Sequence, residues 1–83
     1  MQFLLMCRSL TYAQRTEKTL ERAGIAAGVM RAPRSISTHG CGYCVTVAAK
    51  HGARAVKILE EAGMKPERVY RRLPDGTTEE AAL

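Results

Sequence analysis

Two copies of one helix-ending phrase constrain what this chain can fold into. Leu20-Glu21-Arg22-Ala23-Gly24-Ile25 and Leu59-Glu60-Glu61-Ala62-Gly63-Met64 each close an amphipathic run with a glycine. Glycine is the residue best suited to the left-handed position just past a helix. A strand-like segment precedes and follows each copy. The order along the 83 residues is therefore strand, helix, strand, twice over. That order predicts an α+β fold: a ferredoxin-like β-α-β-β-α-β sandwich, with an antiparallel four-stranded sheet and two helices on one face. Right-handed crossovers make the first two strands parallel, with the third lying between them and antiparallel to both.

The elements follow from local pattern. Residues 2–7 are nearly all apolar, which suits a central strand. Thr11-Tyr12-Ala13-Gln14 reads as a capping box, with Thr11 as N-cap and Gln14 reaching back. The helix then runs to Ala23, with Ala13, Leu20 and Ala23 inward. Ile25 to Ala32 reads as a strand that Pro33 stops, and Tyr43 to Ala48 as a β-branched strand. A second helix covers about Gly52 to Ala62, with Ala55, Ile58, Leu59 and Ala62 inward. Glu67 to Leu73 reads as a charged edge strand. Pro74-Asp75-Gly76 is a turn. Residues 1–73 thus make one domain and 74–83 a C-terminal tail, frayed or briefly helical.

Size and charge narrow the function classes. The start has no basic region before its apolar run, and no run is long enough to span a membrane, so a soluble, cytoplasmic protein is expected. The net charge is +5, but its 13 Lys and Arg are scattered and several adjoin Glu. A solvated surface is favoured over a nucleic-acid footprint, with an acidic protein partner as the middle case. Ala26, Ala27 and Gly28 give the second strand little side-chain protection, which leaves a homodimer by edge pairing open.

The chemistry concentrates in Ala32 to Cys44. Two of the three cysteines lie there, with Arg34, His39 and no acid. Nearby cations and backbone N–H groups favour a thiolate, and Gly40 and Gly42 give Cys41 access. In the expected topology the ends of strands one and two and the start of strand three share one end of the sheet. Cys7, the Cys41 loop, Cys44 and the N-terminus of the first helix meet there, and the helix dipole favours a thiolate. His39 is a candidate general base for Cys41 or an exposed loop residue. Arg34 is a candidate anion contact or a solvated side chain. Cys44 reads as a second reactive thiol or as a small buried hydrophobe, and Cys7 as a resolving thiol or a core residue. Cys41-Gly42-Tyr43-Cys44 precedes a strand instead of opening a helix, unlike a thioredoxin-type motif. Cys41, Cys44, His39 and Cys7 also offer four donors for zinc, so a zinc-binding or thiol/disulfide redox-sensing module is the alternative reading.

Pro33-Arg34-Ser35-Ile36-Ser37, followed by Gly40-Cys41-Gly42, resembles the selenium/sulfur carrier protein-like family of small bacterial proteins. The resemblance extends over about residues 2 to 72, in the expected order of elements. It implies transient carriage of sulfur or selenium on Cys41 as a persulfide or selenosulfide, by a carrier and not a stand-alone enzyme. It further implies a donor, such as a cysteine desulfurase-type enzyme, and an acceptor protein. His39 and Cys44 depart from the family pattern.

Overall fold

The computed structural model describes residues 1–33, 36 and 42–81. Among these residues five strands form one antiparallel sheet: β1 (Gln2–Cys7), β2 (Ala27–Arg31), β3 (Tyr43–Ala48), β4 (Val69–Arg72) and β5 (Thr78–Glu80). Two helices, α1 (Leu10–Arg22) and α2 (Gly52–Glu61), follow β1 and β3. The spatial order is β2-β3-β1-β4-β5. The α+β class and the place of β3 between β1 and β2 match the sequence expectation. The strand count does not.

β1 is apolar from Phe3 to Cys7 because both of its faces are packed against other side chains. Phe3, Leu5 and Cys7 point to one side, where they pack with Val45, Val47 and the inner faces of both helices. Leu4 points to the other side and joins Ala32, Ile36 and Cys44, with Met6, Met30 and Tyr70 packed against them. Leu4, Leu5, Leu20 and Leu59 are all fully buried. Burial of each is worth about 2 kcal/mol relative to exposure.

The repeated phrase is a repeated hydrogen-bond motif. Gly24, at φ 85°, donates to Glu21 O at 3.0 Å, and Ile25 donates to Leu20 O at 2.9 Å. Gly63, at φ 72°, donates to Glu60 O at 3.1 Å, and Met64 donates to Leu59 O at 2.7 Å. Both are Schellman caps, which satisfy carbonyls left open at a helix end. Each brings an apolar residue onto the helix-side core, Ile25 fully and Met64 partly.

Four local expectations need correction. Ser9, not Thr11, caps α1: its extended backbone lets Oγ accept from the Tyr12 N–H at 3.1 Å, so Thr11 already lies in the first turn. Thr16 replaces Ala23 on the inner face of α1; it is buried and its hydroxyl donates to Tyr12 O at 2.9 Å. A 3₁₀ turn, Ala49–His51, precedes α2, whose inner face uses Gly52 and Val56 besides Ala55 and Leu59. Finally, the segment expected to be a frayed or helical tail turns back as β5. Asp75 accepts from the Thr77 N–H and hydroxyl at 2.9 and 2.7 Å, and Arg71 reaches Glu79 at 2.7 Å. β4 is therefore an interior strand, and the charged edge is β5.

Candidate functional site

The cysteine loop joins β2 to β3 at the end of the sheet where β1 finishes and α1 begins. Arg31 is opposite Tyr43, and Tyr43 is opposite Cys7, so the loop's two stems stand beside the β1 terminus. The Ala32 N–H donates to Gly42 O at 2.9 Å and closes the base of the loop. Pro33 O accepts from the Ile36 N–H at 3.1 Å, a tight turn, and Ile36 is buried on the helix-free face of the sheet. Arg34, His39 and Cys41, the sequence candidates for anion contact, base and nucleophile, lie outside the described residues.

Cys7 and Cys44 are described, and both are free and buried. Successive residues of a strand face opposite ways. Register pairs Met6 with Cys44 and Cys7 with Tyr43, so the two thiols occupy opposite faces of the sheet. Cys7 sits under α1, where its thiol donates weakly to Leu5 O at 3.6 Å and to Thr16 Oγ1 at 3.9 Å. Burial raises its pKa, the Thr16 hydrogen bond pulls it down, and the Glu67 charge raises it. Cys44 is pushed up to about 11, by burial first, then by Cys7, against a lowering contribution from Arg72. A thiol in this condition stays protonated at neutral pH, which makes it a poor nucleophile. For Cys7 and Cys44, the expected meeting at one sheet end holds along the strands but not across the sheet; Cys41 lies outside the described residues. Cys7 and Cys44 are not brought together, either as a disulfide or as joint zinc ligands.

Among the described residues no group of three or more His, Cys, Asp or Glu side chains is placed to hold a metal ion. His51 lies in the 3₁₀ turn after β3, at the far end of the sheet from the loop. Arg8, next to Cys7, is mostly exposed; it stands 5.2 Å from the Tyr12 ring centroid and 4.0 Å from Glu67. Among the described residues no helix is long and apolar enough to cross a membrane. Sequence reasoning missed Ile36 as the apolar foot of the loop. Its signal was present, since it is the one aliphatic side chain between Pro33 and Cys41.

No curated protein and no solved structure is significantly similar to the chain. A family model does match, over residues 2–71, and covers everything from β1 into β4. By that match the chain belongs to the family described as "Putative Se/S carrier protein-like".

Proposed function

We propose that the chain is a carrier that holds one sulfur or selenium atom on Cys41 and passes it between partner proteins. The observation that carries this reading is the state of the other two thiols. Cys7 and Cys44 are buried on opposite faces with raised pKa values, which supports Cys41 as the transfer thiol. Family membership supplies the cargo class.

Loading is a thiol exchange. The Cys41 thiolate attacks the outer sulfur of a donor persulfide, R–S–SH, forming Cys41–S–SH and releasing R–S⁻. No external oxidant is needed, and a donor bearing selenium as the outer atom follows the same balance. Delivery repeats the exchange with the carrier persulfide as donor. Arg34 and His39 favour the anionic forms of the thiol and the persulfide. Cys44 takes no part in transfer and serves as packing beneath Ile36. The donor is of the cysteine desulfurase type, the acceptor is a protein thiol, and a reducing cytoplasm suits both. The order β2-β3-β1-β4 supports a ferredoxin-like core, with β5 added at one edge.

The test is intact mass after incubation with a desulfurase and cysteine, and removal of the donor. One added sulfur atom, lost on reduction and absent from Cys41→Ser, is expected. An adduct that persists in Cys41→Ser, or purified protein holding zinc or a Cys41–Cys44 disulfide in place of the adduct, overturns the reading.

A further inference from the structure

The helix-free face of the sheet carries a row of sulfur atoms. Register places Met6 of β1 and Met30 of β2 opposite Cys44 of β3, one on each side. Opposed side chains on one face of antiparallel strands have Cβ atoms about 5 Å apart. A cysteine thus stands between two methionines packed on the same cluster, each a flexible chain with polarisable sulfur. Ala32 and Ile36 pack on the same cluster, and Cys44 is 0% exposed while both methionines keep partial access to solvent. Among the described residues nothing hydrogen-bonds the Cys44 thiol, whereas the Cys7 thiol has two acceptors. Sulfur transfer on Cys41 makes no use of this row.

We propose that Met6, Cys44 and Met30 form a binding site for a soft monovalent metal cation, of which copper(I) is the biological representative. Thiolate and thioether donors select copper(I) over harder ions. Charge selects it again. In binding, Cys44–SH plus Cu⁺ gives Cys44–S–Cu plus H⁺, with no change of oxidation state. Thiolate and cation cancel, so what is buried is neutral. A zinc ion on the same three donors would keep a net positive charge in an apolar site, which is costly without a partner. The row offers no carboxylate or imidazole to offset it. Ile36 and Ala32 pack against the row, and the methionines form its solvent side.

The site is separable from Cys41 and is tested in the Cys41→Ser protein, so the result is independent of sulfur carriage. Copper(I) is added anaerobically against a coloured bidentate copper(I) chelator, with circular dichroism as the check on folding. Stoichiometric retention of copper(I), with no retention of zinc, is expected. Met6→Leu and Met30→Leu, nearly equal in volume to the native side chains, should each weaken retention about tenfold or more while the protein stays folded. Cys44→Ala should abolish it, and if that variant fails to fold, the leucine variants decide alone. Loss of all copper binding on replacing Cys41, retention of zinc as tight as that of copper, or leucine variants that bind unchanged would each overturn the proposal.

Discussion

A buried thiol whose desolvation outweighs the one cation acting on it, Arg72, should be a poor nucleophile in the folded protein, and the size of that effect follows from its pKa. Burial takes Cys44 from an ordinary 9.0 to about 11. At pH 8 this leaves about one Cys44 side chain in a thousand as thiolate, against about one in ten for an unperturbed thiol. Alkylation by iodoacetamide at pH 8 should therefore be slower by about a hundredfold or more at Cys44 in the folded protein than at the same residue in guanidinium, because occlusion adds to the loss of thiolate. Peptide mapping by mass at timed quenches gives both rates. Folded and unfolded rates within about threefold of each other would refute the packing and the ionisation together. The same shift has an equilibrium consequence. Between pH 9 and 11 the unfolded chain has released the Cys44 proton while the folded chain still holds it, so stability falls as pH rises. This contribution is complete below pH 9 and is lost by pH 11, about 3 kcal/mol in all. Cys44→Ala should flatten most of that slope, with the part due to Cys7, raised in the same direction, remaining.

Two further substitutions check the scaffold. Gly52→Ala should destabilise the protein by about 1 kcal/mol in urea titration, although alanine is the better helix former by about the same amount. The reason is steric: a Cβ there would come within 2.5 Å of Phe3 Cε2 and 3.2 Å of Cγ, on a ring that is itself buried. Adding Phe3→Leu should recover part of the loss, and a stabilised Gly52→Ala would show that the ring is free to move. Ser9→Ala removes the acceptor for the Tyr12 N–H and should cost about 1 kcal/mol, whereas Thr11→Ala should cost less than half of that. Equal losses at the two positions would return the cap to Thr11.

Legibility in the sequence followed the range of the forces involved. The two Schellman caps were readable because a glycine after an amphipathic run acts within six residues, and they led directly to the strand-helix order. β1 and β3 were readable because burial on one or both faces leaves a continuous or alternating apolar signature. The α1 cap was misplaced because Ser9 and Thr11 are both good caps by residue type, and only the extended backbone at Ser9 separates them. β5 was missed because Thr78-Glu79-Glu80 has no apolar pattern. It is held by the turn at Asp75 and by Arg71 and Arg68 reaching Glu79 and Glu80, contacts made only once β4 is in place. The loop's Gly-flanked Cys41 stood out by composition alone. The opposite orientations of Cys7 and Cys44 did not, since they depend on a register between strands far apart in sequence, where a slip of one residue exchanges the faces.

The position of β1 at the centre of the sheet has a consequence for how the molecule is assembled. The first strand in chain order is the middle one of the five, and both of its neighbours come later. As the chain is made, β1 waits for its first strand partner until Tyr43–Ala48 arrives to pair with it. Its second side stays open until Val69–Arg72 has followed. Such long waits slow folding relative to helical proteins of this length. They also make the interval between synthesis of β1 and of β3 the period when a nascent chain most needs shielding from its neighbours on the same messenger.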